Sequence, residues 1–167
     1  MKAKNHLATH IIIVIFFLVL AFYFSSFNKF ATSLLEPYKN NILVLALGLG
    51  LYFLGAILPD SDSWNRGSYI FYTKFAFLAY TIRILEYPIR LITGRKKGHR
   101  QSLHTILGII VISLSVSIII STVFSLFSQK PIFSNFFVFW TICLFIGQFF
   151  HLIEDKIVSP KWKIKLI

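Results

Sequence analysis

Long apolar runs without any Asp, Glu, Lys or Arg constrain the fold of this chain more than any other feature. Residues 103–127 and 132–153 are two such runs, and each is long enough for the roughly 20 residues that a helix needs to cross a bilayer. Two further runs, 7–27 and 41–58, are also apolar, although the latter is slightly short. The sequence therefore predicts an all-α integral membrane protein with about four transmembrane helices, in a single membrane-embedded domain that covers residues 1–167.

The composition agrees with this fold class. Hydrophobic residues make up 56% of the chain and charged residues 14%, against about 25% charged residues in soluble domains. The net charge of +11 could indicate nucleic acid. The basic residues lie between apolar runs, however, where they set topology and contact anionic lipid headgroups. We therefore expect the lipid bilayer as partner and no nucleic acid. The sequence does not reveal the oligomeric state. The single cysteine, Cys143, excludes an internal disulfide.

The segment 68–92 is aromatic and apolar, but charged residues interrupt it. These are Lys74, Arg83, Glu86 and Arg90. A helix of this kind can lie flat at the membrane surface, with its basic side chains at the headgroups. We predict an amphipathic interfacial helix in the middle loop, and a fifth span is the alternative.

The basic residues are distributed unequally between the two membrane faces. Of the 17 Lys and Arg residues, 14 lie in the N-terminus, the 59–102 loop and the C-terminus, which share one side in a four-span protein. The positive-inside rule makes that side cytoplasmic. The chain is thus predicted to be a plasma (inner) membrane protein with both termini in the cytoplasm. An uncleaved first span is favoured over a signal peptide, because no A-x-A-like site follows cleanly after residues 11–24.

The histidines and most acidic residues lie where the predicted spans meet this same face. They come from four separate parts of the chain: His6 and His10, Asp60 and Asp62, His99 and His104, and His151, Glu154 and Asp155. Ionisable groups at membrane depth are costly and usually functional. A shared cation offsets much of that cost, since it binds neutral imidazole and ionised carboxylate together. Each pair alone could be a solvated turn or an interfacial group, but their convergence predicts a metal site.

The spacing within the last span favours a shared ion. His151 and Asp155 are four residues apart, so both can reach one ion from a single helix face. His6 and His10 have the same spacing. Glu154 is expected on another face of the helix, as a solvated neighbour.

The two remaining pairs are expected in loops beside the spans. His99 and His104 are five residues apart, which is a poor spacing for one helix face. We therefore place His99 in the loop and His104 in the first helical turn, with Ser102 as a possible N-cap. Asp60 and Asp62 directly follow a proline, in a turn from which both carboxylates could point inward.

These residues also carry a family resemblance over nearly the whole chain. The motifs are, in order, Thr9-His10 before an apolar helix, LPDSD at 58–62, HRQSLH at 99–104 and HLIED at 151–155. The set resembles the YdjM/DUF457 family of inner-membrane, metal-dependent hydrolases, whose hallmarks are L-P-D-x-D-H, H-R-G-x-T-H-S and a late H-x-x-x-D. The sequence departs from this pattern at Ser63, which replaces the histidine after D-x-D, and at Gln101, Leu103 and Thr105.

The resemblance implies a ligand set and a reaction class. The candidate metal ligands are His10, Asp60, His99, His104, His151 and Asp155. His6 is an alternative to His10 as the N-terminal ligand. Asp62 is a candidate ligand or catalytic general base, and Arg100 a candidate catalytic residue that binds a phosphate oxygen. The loss of a histidine at Ser63 could reduce the number of metal ions.

The leading hypothesis is a membrane-bound, metal-dependent hydrolase that acts near the cytoplasmic face. Imidazole together with carboxylate suits Zn²⁺ best, although Mn²⁺ or Fe²⁺ would also fit. The depth of the site indicates a lipid or lipid-linked phosphoester as substrate. The alternatives are a metal-handling or transport protein and a non-enzymatic membrane protein with a structural metal.

Overall fold

The computed structural model describes residues 3–59, 76–93 and 102–158, and every regular element in these ranges is a helix. The prediction of an all-α chain is therefore confirmed for this part of the protein. The α-helices are α1 (Ala3–Tyr23), α2 (Ser25–Leu35), α3 (Ile42–Ile57), α4 (Ala76–Thr93), α5 (Ile106–Ser128) and α6 (Asn135–Val158). Short 3-10 turns at Glu36–Tyr38 and Ser102–His104 precede α3 and α5.

Two of the described helices are long and apolar enough to cross a membrane, and they correspond to the third and fourth predicted spans. They are Ile106–Ser128 and Asn135–Ile157. A third candidate is the pair α1 and α2, if the two are counted as one broken span. The apolar helix α3 has only 16 residues. Helix length thus supports two or three of the four predicted spans.

The first predicted span, 7–27, is not one straight helix. Phe24 adopts an extended conformation between α1 and α2, and the helix axis turns by 113° at this point. The sequence remains apolar through the bend, which is why hydropathy alone gave no sign of it. Helix α2 is amphipathic, whereas α1 is uniformly apolar from Ile11 onward.

The contact between α3 and α6 is the most extensive among the described helices and brings the two backbones together. A Cβ atom added at Gly55 would collide with the carbonyl oxygen of Leu144, and one added at Gly147 would collide with that of Tyr52. Small residues permit such close helix approach in membranes. As a result, the α3 residues Tyr52 and Ala56 lie directly against α6.

Aromatic side chains fill the bundle near the start of α6. Trp140 is fully buried and donates a hydrogen bond from Nε1 to the carbonyl oxygen of Val44, at 3.1 Å. Its ring lies edge-on to Phe124, with the centroids 5.1 Å apart. Tyr38 stacks on Phe139 at 4.4 Å. We call Tyr38, Phe124, Phe136, Phe139 and Trp140 the aromatic end.

Helices α5 and α6 form an antiparallel hairpin, which determines where the candidate site lies. Helix α5 is followed by its C-cap Gln129, whose φ of 55° is left-handed and redirects the chain toward α6. Phe124, late in α5, meets Trp140, early in α6. The start of α5 and the end of α6 therefore lie together at the other end of the bundle.

Helix α4 packs against α5 and against the 3-10 turn before it. Its inner face buries Ile89 and Glu86, whereas Ile84, Tyr87 and Leu91 are exposed. The helix continues through Pro88 and is not among the described helices that could span a membrane. Residues 68–75 of the predicted interfacial helix lie outside the described part of the chain.

Candidate metal centre

Three side chains meet where α5 begins and α6 ends. His104, His151 and Asp155 each offer one ligand atom, and these atoms lie within 4.8 Å of one another. Asp155 Oδ2 is 3.4 Å from His104 Nε2 and 4.0 Å from His151 Nε2. All three residues are at most 1% exposed. This buried group could hold a metal ion.

The turn before α5 positions His104. Thr105 is the N-cap of α5, since its Oγ1 accepts a hydrogen bond from the backbone N–H of Gly108 at 2.9 Å. The possible cap at Ser102 is therefore wrong: Ser102 begins the 3-10 turn, and His104 ends it before the helix starts. Because the cap follows His104, the imidazole projects from the turn toward α6 rather than from the first helical turn.

A backbone carbonyl of α3 orients His151. The Nδ1 atom lies 2.7 Å from the carbonyl oxygen of Ala56. A carbonyl can only accept, so Nδ1 carries the proton, and the lone pair of a neutral ring is on Nε2, which faces Asp155. Metal-binding histidines are commonly held in this way by a hydrogen bond from the other ring nitrogen.

The N-terminal histidine lies in a different polar contact. His10 is fully buried, with Nδ1 2.9 Å from the Tyr52 hydroxyl and Nε2 3.6 Å from Glu154 Oε1. The expectation that Glu154 is solvated is wrong, because the residue is only 7% exposed and its carboxylate faces His10 of α1. Sequence reasoning missed Tyr52 and did not place Glu154 among the candidate ligands. The signal for Glu154 was available, since an acid at the end of an apolar span is rarely incidental.

The remaining predicted site residues lie outside the described residues. These are Asp60, Asp62, His99 and Arg100, and the side chain of His6 is also outside them. The structure thus brings together three of the predicted ligands and places His10 beside Glu154.

Polar side chains continue from the site into the bundle along one face of α5. Ser113, Ser117 and Ser121 are buried at intervals of four residues. Gln148 of α6 donates a hydrogen bond from Nε2 to Ser113 Oγ at 2.8 Å. Among the described residues, this line contains hydroxyl and amide groups but no ionisable side chain.

Comparison with known families decides the identity of this helical bundle. The family model described as YdjM inner membrane protein matches residues 6–164. The chain belongs to the YdjM inner membrane protein family. No curated protein and no solved structure matches it. Membership of the YdjM family, together with the apolar helices, indicates a membrane protein.

The donor set of this YdjM-family protein fits a divalent metal ion. Two ligands about 2.1 Å from a tetrahedral ion are about 3.4 Å apart, which is the separation of His104 Nε2 from Asp155 Oδ2. The separation from His151 Nε2, 4.0 Å, needs only a small shift of one side chain. A cation at this position would also offset the negative charge of the buried Asp155 carboxylate, which both imidazoles face.

Proposed function

We propose that this protein is a membrane-bound, metal-dependent hydrolase that acts near the cytoplasmic membrane face, on a lipid or lipid-linked phosphoester. The observation that carries the proposal is the buried group of His104, His151 and Asp155, which comes from one turn and one helix. Such a group in the interior of a membrane protein is costly unless it has a function. The hydrolytic reaction class is what the family resemblance of the motifs implies.

Each residue of the triad has a separate part in holding the ion. Asp155 supplies the negative charge, and its oxygen faces both imidazoles. His151 presents Nε2 because Ala56 binds its Nδ1 proton. His104 enters from the opposite side, on a turn fixed by the Thr105 cap. Ligands fixed in this manner lose little conformational freedom on binding.

Zn²⁺ is the ion we expect, because two imidazoles and a carboxylate are a common ligand set of catalytic zinc. Mn²⁺ and Fe²⁺ fit the same donors. When bound, such an ion supplies Lewis acidity, which polarises a phosphoester and lowers the pKa of a water.

Two residues outside the described part of the chain complete the proposal. Asp62 acts as the general base or as a further ligand, and Arg100 binds an oxygen of the phosphoester. An arginine suits this role because its guanidinium donates two parallel hydrogen bonds to an anionic group.

The function is tested with the full chain in lipid nanodiscs, assayed against a panel of phospholipids and lipid-linked phosphates. Phosphate or alcohol release should require metal, and His104→Ala should abolish it. Asp62→Asn should retain metal and lose activity if Asp62 is the base, whereas loss of metal would make Asp62 a ligand. Wild-type protein that binds no ion after growth with zinc, manganese and iron would remove the basis of the proposal.

The cytoplasmic orientation is part of the same proposal and rests on the 14 of 17 basic residues on one side. In a Cys143→Ala background, an impermeant thiol reagent outside intact cells should label Ser134→Cys and spare Ser63→Cys. Ser134 lies between α5 and α6, at the end away from the triad. The reverse labelling pattern would place the site on the outer face.

A structural metal is the second candidate, and the complete burial of the triad favours it. A structural ion has a closed set of protein ligands, whereas a catalytic one keeps a position open for water or substrate. Azide or cyanide binding to the Co²⁺-substituted protein distinguishes them, since only an open position gives a changed visible spectrum. A transport function has less support, because the polar line below the site contains no ionisable group among the described residues.

A further inference from the structure

His10 and His151 are held in the same arrangement, although they come from opposite ends of the chain. In each ring, Nδ1 contacts an oxygen atom of α3. His10 Nδ1 is 2.9 Å from the Tyr52 hydroxyl, and His151 Nδ1 is 2.7 Å from the Ala56 carbonyl oxygen. Each has Nε2 directed at a carboxylate of α6. Because residues 52 and 56 are one helical turn apart, a single face of α3 orients both imidazoles.

The distances at the two Nε2 atoms are also similar. His10 Nε2 is 3.6 Å from Glu154 Oε1, and His151 Nε2 is 4.0 Å from Asp155 Oδ2. Both separations exceed the roughly 2.9 Å typical of an N–H···O hydrogen bond. They are near the roughly 3.4 Å between two ligands of one tetrahedral ion. The geometry at His10 therefore resembles that of a ligand pair more than that of a direct hydrogen bond.

Glu154 and Asp155 are consecutive, so their side chains leave α6 about 100° apart. Asp155 turns toward His104, and Glu154 turns toward α1. Among the described residues, the atoms of His10 and Glu154 do not join the group formed by the triad. One ion at the triad is therefore not positioned to use both histidine–carboxylate pairs.

We infer that His10 Nε2 and the Glu154 carboxylate bind a second divalent cation beside the one held by the triad. The inference rests on the proposed metal centre and adds to it a position that the predicted ligand set did not contain. Glu154 is the new ligand, and Tyr52 is a positioning residue that fixes the ring of His10. Centres with two metals recur in enzymes that cleave phosphoesters, which is the substrate class proposed above.

The second position should be the weaker of the two. Among the described residues, two side chains, those of His10 and Glu154, can bind the second ion, whereas the triad offers three ligands to the first. With fewer charged and imidazole donors, the ion retains more waters and dissociates more readily. Graded chelation should therefore empty the His10–Glu154 position first.

The test is the metal content of the full chain in nanodiscs, measured by mass spectrometry after dialysis against graded chelator. Wild type should hold about two ions per chain and Glu154→Gln about one. Glu154→Asp, which retains a carboxylate, should restore part of the second. Tyr52→Phe should weaken only the second ion, by ~10-fold. Glu36→Gln removes an exposed glutamate and is the matched control, with no effect expected.

The outcomes separate this inference from the proposed function. Wild type without any ion overturns both. One ion per chain that is unaffected by Glu154→Gln overturns the inference alone, and His10 with Glu154 is then an ion pair without metal. Two ions that both survive Glu154→Gln also contradict it, because the second would then bind elsewhere.

Discussion

The two ends of the helical bundle are held by different forces. At the aromatic end, Trp140 and Phe124 fill space by ring contacts, and the indole N–H bonds to a backbone carbonyl. At the opposite end, which we call the polar end, the buried side chains are imidazoles and carboxylates: His10, His104, His151, Glu154 and Asp155. One end gains stability from packing, while the other buries charge that must be balanced.

The difference predicts which end of the bundle depends on a bound metal ion. Close packing does not depend on a ligand, so the aromatic end should maintain the fold with or without metal. Buried carboxylates are unfavourable without a cation or a hydrogen-bonding partner, so the polar end should depend on what it binds. Both ends rely on the same α3–α6 contact, so substitutions at that contact should affect both ends, whereas substitutions within one end should affect that end alone.

The largest effect is expected at the contact that both ends share. Gly147→Leu would drive a side chain into the carbonyl of Tyr52, in a place where two backbones touch. Because backbone cannot shift as a side chain can, we expect a loss of more than about 3 kcal/mol of unfolding free energy. Denaturation by SDS in mixed micelles measures it. Gly50→Ala is the control, since a Cβ there meets nothing within 4 Å and should stabilise by up to ~1 kcal/mol.

A folded Gly147→Leu variant with normal metal content would contradict the view that this contact positions the site. It would mean that α6 can move away from α3 while His151 retains its orientation.

The next effect concerns the polar end alone. His104→Ala and Asp155→Ala should each lower metal affinity by at least ~100-fold, or about 2.7 kcal/mol, because each removes a ligand of a three-ligand group. Lys130→Ala, an exposed lysine at the other end, should bind metal normally. Competition with a chromophoric chelator gives the affinities.

The effect of a chelator on stability distinguishes the contribution of the polar end from that of the aromatic end. Removing the ion should destabilise wild type by about 2.7 kcal/mol when the metal was present at 100 times its dissociation constant. The Asp155→Ala variant should be insensitive to the chelator. Equal sensitivity in both proteins would show that the ion stabilises the fold from another place.

The sequence contained enough information to predict that His104, His151 and Asp155 lie together at the polar end. Hydropathy predicts two uncharged spans, 103–127 and 132–153, joined by a short connection. Two helices joined in this way pack antiparallel, which brings His104 next to the end of α6. The spacing of His151 and Asp155 placed both on one face. These inferences needed only helix geometry and chain direction, which periodicity and loop length determine.

The bend at Phe24 and the direction of Glu154 could not be predicted in the same way. In a soluble protein, an apolar stripe shows which face of a helix is buried. Lipid tails are as apolar as a protein core, so α3 and the part of α1 that follows His10 are apolar all round and give no such signal. Without it, neither the rotation of α1 that brings His10 to Glu154 nor the interruption at Phe24 follows from composition.

A smaller effect is expected at the aromatic end. Trp140→Phe removes the hydrogen bond to the Val44 carbonyl and part of a fully buried ring, and should cost about 2 kcal/mol of unfolding free energy. Metal content should not change, because the ring is at the end away from the triad. Phe127→Leu, in an exposed position, is the control and should lie within about 0.5 kcal/mol of wild type. Loss of metal in Trp140→Phe would show that the ends are coupled.

The smallest effect lies between the two ends, at the hydrogen bond from Gln148 to Ser113. Gln148 is three residues before His151 on α6, so this bond lies about one helical turn from the triad. Hydrogen bonds between membrane helices contribute about 0.6 kcal/mol on average, because the separated helices also find polar partners. We expect a double-mutant cycle of Ser113→Ala and Gln148→Leu to give a coupling of this size, with metal content unchanged in all three variants. A coupling above about 2 kcal/mol, or loss of metal in Gln148→Leu alone, would place this pair within the polar end. The dependence on metal would then extend one helical turn deeper into the bundle than the triad itself.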